Sequence, residues 1–73
     1  MNDKKRTPGQ IVEQTLELAR KLYRMQGYVA PKGFKFYASG HPHELEAWEM
    51  AREAQIFLTD TDPDEALIEL GGL

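Results

Sequence analysis

The chain contains no cysteine and no long apolar run. Without cysteine it can form no disulfide, and it offers no thiolate ligand to a zinc ion. A membrane-spanning helix needs about 20 mostly apolar residues, so we expect no membrane segment. The basic residues at positions 4–6 lead into no apolar stretch, which predicts that there is no secretory signal. We therefore expect a cytoplasmic protein.

Serine is nearly absent, and this bears on catalysis. Ser39 is the single serine, and its spacing from the two histidines suggests no catalytic triad. A chain of 73 residues also leaves little room for a pocket of substrate size. The sequence predicts a protein that is not an enzyme and that needs no cofactor.

Two clusters resemble metal sites and lack essential ligands. Residues 60–64 look like the start of a calcium loop, but Glu65 and Gly71 stand where that loop needs glycine and glutamate. His41 and His43 offer two imidazoles, whereas transition-metal sites need three or four converging ligands. We expect helix caps at both places and no metal.

Basic residues are concentrated in one half of the chain. Residues 1–38 carry eight Lys or Arg against three acids, a net charge of +5, and residues 39–73 carry only Arg52 against nine acids, a net charge of −8. A chain with this charge pattern can set its halves against each other within the fold, between two copies, or against a charged partner.

Three short strings share one pattern: a residue able to cap a helix, then proline, then any residue, then Gln or Glu. They are Thr7-Pro8-Gly9-Gln10, His41-Pro42-His43-Glu44 and Asp62-Pro63-Asp64-Glu65. Proline suits the first helical position, because its φ is already helical and its missing N–H needs no partner there. Gln or Glu at the third position can bond back to the cap. The strings predict helices over residues 8–26, 42–58 and 63–70, with His41 as the weakest cap.

Apolar residues recur at helical spacing in the first two segments. The first helix is apolar over half its circumference and should form the main wall of the core, and Gly27 is placed to end it. In the second helix we expect the core face to consist of Ala47, Met50, Ala51, Ala54, Phe57 and Leu58. The predicted fold class is mainly α: one small three-helix domain (residues 7–70), with a long antiparallel helix pair plus a short C-terminal helix. Flexible segments, a basic one at residues 1–6 and another at 71–73, should flank it.

The segment between the first two helices has no helical period. Residues 31–33 favour a turn, and residues 34–36 alternate as an extended piece would. We expect an aromatic extended crossover that plugs the end of the core, either a minimal β-hairpin or an irregular loop. Its aromatic residues are Tyr28, Phe34, Phe36 and Tyr37.

Apolar residues flanked by acidic ones on the second helix suggest an interface with another protein. Leu45 and Ile56 lie on the far side of that helix from the predicted core, and Trp48 lies at its border. Unless residues 28–40 fold over them, these side chains should bind a protein partner or a second copy of the chain. The predicted partner-binding residues are Leu45, Glu46, Trp48, Glu49, Glu53 and Ile56.

Two further partner classes stay open. The basic first helix, with Lys32 and Lys35, can contact phosphates and so bind nucleic acid. The acidic residues 44–69 can instead imitate nucleic acid and inhibit a basic protein. Residues 32–36 look like an RNA-recognition strand, but the chain lacks the strands for its sheet. The third helix has no basic residue with which to read DNA.

One set of strings resembles a protein group. The set is Gln26-Gly27-Tyr28, Pro31, Gly33-Phe34, Phe36, His41-Pro42-x-Glu44 and Trp48-x-Met50-Ala51. It resembles small proteins encoded in the early regions of lambdoid phages and prophages, over residues 11–62. The resemblance implies a compact helical protein that is made during infection and binds a host or phage protein. It brings no catalytic residues.

Overall fold

The structure is a computed structural model that describes residues 6–71. Three helices follow one another along the chain: α1 (Pro8–Met25), α2 (Pro42–Thr59) and α3 (Pro63–Glu69). A short 3-10 helix (Phe36–Ala38) lies between α1 and α2. The mainly helical fold with three helices is therefore confirmed, with helix bounds within one residue of the predicted ones.

Helices α1 and α2 run antiparallel, and two hydrogen bonds set their relative position. The Tyr23 hydroxyl, near the end of α1, donates to Glu44 at the start of α2 at 3.3 Å. Gln55 Nε2, near the end of α2, donates to Thr15 Oγ1 in α1 at 3.1 Å. Three alanines lie fully buried along this seam, which brings the two backbones close together. They are Ala19, Ala47 and Ala51.

Each helix begins at its proline, and the three caps differ in quality. Thr7 and Gln10 form a complete capping box, with both reciprocal hydrogen bonds present. Asp62 accepts the N–H of Asp64 at 2.9 Å. His41 Nδ1 accepts the N–H of His43 at a longer 3.3 Å. The middle cap is the weakest of the three, in line with the low preference for histidine at this position.

The end of α1 is closed by glycine, as predicted. Gly27 adopts a left-handed φ of 99°. Its N–H bonds to the carbonyl of Arg24 at 2.9 Å, and the N–H of Tyr28 bonds to the carbonyl of Tyr23 at 3.2 Å. This pair of bonds is the Schellman arrangement, which satisfies carbonyls that a helix end leaves unpaired.

The suggested β-hairpin is wrong, because residues 6–71 contain no strand. The helix cap already uses the N–H of Tyr28, and Pro31 has no N–H to give to a ladder. The chain instead turns through Gly33 and enters the 3-10 helix. That turn directs Phe36 into the core, where it is fully buried and packs edge-to-face on Tyr23. Phe34, Phe36 and Tyr37 do pack against the end of the core, as predicted, but they do so from a turn and a 3-10 helix.

The predicted core face of α2 is wrong in part. Phe57 is 86% exposed and Leu58 is 73% exposed, while the buried residues are Ala47, Trp48, Ala51 and Gln55. At 100° per residue, the true core face is rotated by roughly 70° from the predicted one. The rotation occurs because α3 and Tyr37 pack on the Trp48 side of the helix.

Arg6, the last residue of the segment predicted to be flexible, contacts the helical domain through its side chain. Its guanidinium donates to Thr59 Oγ1 at 2.8 Å and to Thr61 Oγ1 at 3.2 Å, and it also reaches Gln14 and Gln55. It therefore ties the start of α1 to the turn between α2 and α3. The rest of the two predicted flexible segments, residues 1–5 and 72–73, lies outside the described residues, and Gly71 ends α3 with a left-handed φ of 77°.

The middle cap generates a prediction. Replacing His41 with Ser should raise the free energy of unfolding by about 0.5–1 kcal/mol, because serine is a better N-cap. The opposite change is Thr7→Ala, which removes a complete capping box and should lower it by about 1 kcal/mol. Urea unfolding followed by circular dichroism measures both. A His41→Ser variant less stable than the parent would show that the imidazole does more than cap α2.

Candidate functional site

Five of the six predicted partner-binding residues lie on the side of α2 that faces away from α1. Leu45 is 38% exposed, and the three glutamates are exposed. Ile56 is half-buried. We call this set the outer α2 surface; it consists of Leu45, Glu46, Glu49, Glu53 and Ile56.

Trp48 does not belong to this surface, and its assignment as a contact residue is corrected. Its side chain is only 4% exposed. The indole Nε1 donates to Asp64 Oδ1 at 3.1 Å, and the ring packs edge-to-face on Tyr37 with centroids 5.2 Å apart. A buried tryptophan needs a partner for its N–H, and α3 supplies one. Trp48 therefore joins α2 to α3.

Arg52 is the centre of the electrostatics at this end of the molecule. Its Nε lies 3.0 Å from Asp62 Oδ1 and 3.1 Å from Asp64 Oδ2. Its Nη1 lies 3.3 Å from Glu49 and 3.6 Å from Glu53. One guanidinium thus serves four carboxylates, and the local charge stays negative.

The contacts between Arg52 and Asp62 shift the pKa values of both side chains. The hydrogen bond from Arg52 is the largest cause that lowers the pKa of Asp62, and the backbone N–H groups of Asp64 and Glu65 lower it further, against an opposing effect of burial. The hydrogen bond to Asp62 likewise raises the pKa of Arg52. Asp62 therefore has two roles, as the cap of α3 and as the anion that holds Arg52.

A second polar cluster lies where the loop enters α2. Glu44 accepts hydrogen bonds from the hydroxyls of Ser39 and Tyr23, and Ser39 Oγ accepts the backbone N–H of His41 at 2.9 Å. Burial, followed by the charge of Glu44, raises the pKa of Tyr23. Among the described residues no histidine ring bonds to Ser39, and its hydroxyl donates instead to the Glu44 carboxylate. Its bonds fasten the loop to both long helices.

The basic side of α1 carries mixed charge. A shallow groove of about 90 Å³ has Arg20 and Lys32 on its rim, but Glu13 and Glu17 line it as well. Phe34 also lines it; this side chain is half-buried and packs edge-to-face on Phe36. Part of the Phe34 ring is therefore used in core packing and is not free to stack on a base. The carboxylates of Glu13 and Glu17 would repel a phosphate bound in this groove.

The exposure of Phe57 and Leu58 in α2 was not predicted from the sequence. Phe57 was assigned to the core because it shares helical spacing with Ala47 and Met50. The apolar positions of α2 extend over a wider arc of the helix than α1 can cover. This width was the signal in the sequence that some of these side chains must be exposed to solvent.

Within residues 6–71, no group of three or more potential ligands could hold a metal ion, and none of the helices has both the length and the apolar character to cross a membrane. Comparison of the chain with protein-family models, curated proteins and solved structures found no significant match. Function must therefore be inferred from the surfaces of the described residues.

The ion pair of Asp62 generates a prediction. Asn caps a helix as well as Asp, so Asp62→Asn removes the charge and keeps the cap. At neutral pH we expect a loss of about 1 kcal/mol in the free energy of unfolding, since the pair is largely shielded from solvent. Because the folded-state pKa of Asp62 is lowered, this stability is present above the ordinary pKa of about 4 and is lost as pH falls through the folded value.

The difference between parent and variant should therefore shrink below pH 4. Urea unfolding at neutral and acidic pH measures it. Asp60→Asn is the matched control, because Asp60 is exposed and its left-handed φ of 56° suits asparagine. An equal loss for Asp62→Asn at both pH values would contradict the ion-pair explanation.

Proposed function

We propose that this chain is a small non-enzymatic interaction protein, which acts in the cytoplasm by binding another protein through the outer α2 surface. The proposal rests on Leu45, an exposed apolar side chain that lies beside the glutamates of α2. The cation nearest to these glutamates is Arg52, which also forms ion pairs with the start of α3. Arg52 contacts Glu49 and Glu53, but it is shared with Asp62 and Asp64, so the surface keeps an excess of negative charge.

The chemistry of this surface specifies the kind of partner. Glu46, Glu49 and Glu53 occupy about two turns of α2, a distance of roughly 10 Å along the axis. They suit a protein with several Lys or Arg around a small apolar depression that receives Leu45. Opposite charges across an interface speed association and exclude wrong partners. We further propose, from the resemblance of residues 11–62 to small lambdoid phage proteins, that the partner is a host or phage protein.

Nucleic-acid binding by the basic side of α1 is the weaker candidate. Lys32 and Lys35 are exposed, which supports it. Glu13 and Glu17 lie in the same groove as Lys32, and they would repel a phosphate backbone. Acidic mimicry of nucleic acid is a special case of the leading proposal, in which the bound protein is itself a nucleic-acid-binding protein.

The proposal predicts a salt-sensitive partner. The tagged chain should retain a basic protein from a lysate of the bacterial host, and a triple variant with Glu46, Glu49 and Glu53 changed to Gln should retain at least tenfold less, since each exposed charge contributes to association. Leu45→Ser should reduce retention severalfold. Quantitative mass spectrometry of the eluates measures both effects.

The matched control changes three exposed glutamates elsewhere: Glu13, Glu17 and Glu69 to Gln. It alters the net charge equally and should retain the partner as the parent does. If both triple variants lose the protein equally, the attraction is only general charge and the proposal fails. Release of the protein by added DNA would identify mimicry, whereas a shift of DNA by the chain alone would favour the basic side of α1.

A further inference from the structure

Helices α1 and α2 form a layer that the described part of the chain covers on one side only. On the covered side, α3 packs against α1 and meets Trp48 and Arg52 of α2. The 3-10 helix lies on the same side, where Phe36 meets Tyr23 and Tyr37 meets Trp48. Within residues 6–71, no element packs on the opposite side of the layer.

The opposite side is apolar and wide. At 100° per residue, its positions flank the α1–α2 seam on the side away from α3. Phe57 is the most exposed member of α2 there, at 86%, and Met25 is almost as exposed at the end of α1. We call this surface the open face; it consists of Leu18, Leu22, Met25, Met50, Ala54 and Phe57. It adjoins the outer α2 surface but shares no residue with it.

We propose that a second copy of this chain covers the open face, so that two helix pairs form a four-helix bundle. The charges at the edges of the face indicate the arrangement. Lys21 borders it along α1, and Glu46 and Glu53 border it along α2. If α1 of one copy packs against α2 of the other, Lys21 of each copy lies near the glutamates that border the open face of its partner.

The register of the two helices supports this pairing. The contacts of Tyr23 with Glu44 and of Thr15 with Gln55 place Lys21 close to the height of Glu46 along the bundle. A twofold axis parallel to the helices keeps every residue at its own height. Lys21 of each copy then lies beside Glu46 of the other, twice per dimer. A twofold axis across the helices would instead set α2 against α2, with glutamates facing glutamates.

The size of the face sets the expected strength. Each long helix has 18 residues, or about 27 Å of length, and two adjacent helices span about 20 Å. The face therefore covers roughly 500 Å² per copy, or about 1,000 Å² in total, which is near the lower limit for a specific interface. A dimer with a dissociation constant in the micromolar range fits this area.

Sedimentation equilibrium of the full chain, from micromolar to near-millimolar concentration, tests the dimer. We expect a monomer–dimer equilibrium that Phe57→Glu weakens at least tenfold, because a charge would be buried at the interface. Val29→Glu is the matched control, since Val29 is 87% exposed and lies in the loop, outside the open face. Circular dichroism establishes that both variants stay folded, which is expected because neither side chain is buried. A parent chain that is monomeric throughout, or equal weakening by both variants, overturns the proposal.

A charge reversal tests the arrangement within the dimer. Lys21→Glu should weaken association, because two glutamates would then face each other across the interface. The double variant Lys21→Glu, Glu46→Lys should restore it, because each intermolecular ion pair forms again with its charges exchanged. Failure of the double variant to recover would overturn the parallel twofold axis. Loss of the dimer and loss of partner binding are separate results, because Phe57→Glu leaves the outer α2 surface intact.

Discussion

The packing of α3 on the Trp48 side of α2 fixes how α2 is oriented about its own axis, and the contact of Arg52 with Asp62 and Asp64 fastens α3 there. The guanidinium draws the start of α3 against one side of α2, and Asp64 simultaneously accepts the indole N–H of Trp48. This side of α2 then faces the interior. The charged outer α2 surface and the apolar open face both follow, because fixing one side of a helix fixes all the others.

Features specified by neighbouring residues were predictable from the sequence. The helix starts depend on a cap, a proline and a side chain three positions later, so Pro8, Pro42 and Pro63 located all three. The end of α1 at Gly27 was equally local, since only a residue tolerant of positive φ fits there. Such signals need no knowledge of what packs against the helix.

Features that depend on distant residues were harder to predict. Helical spacing placed Phe57 in the core and Trp48 at its border, because hydrophobicity alone cannot show from which side α3 arrives. Gln55 is a polar residue that a pattern of apolar positions excludes, yet it is buried through its bond to Thr15. The acidic residues of the outer α2 surface were predictable because glutamates on a helix rarely find burial.

The alanine seam between α1 and α2 has a consequence for how this sequence can change. Ala19, Ala47 and Ala51 have no exposed surface, so a larger side chain at any of them would push the helix backbones apart. The outer α2 surface and the open face consist mostly of side chains that the seam does not use. Substitutions there change the chemistry of the molecular surface and leave the helix pair in place, so the surface of this fold can vary independently of its core.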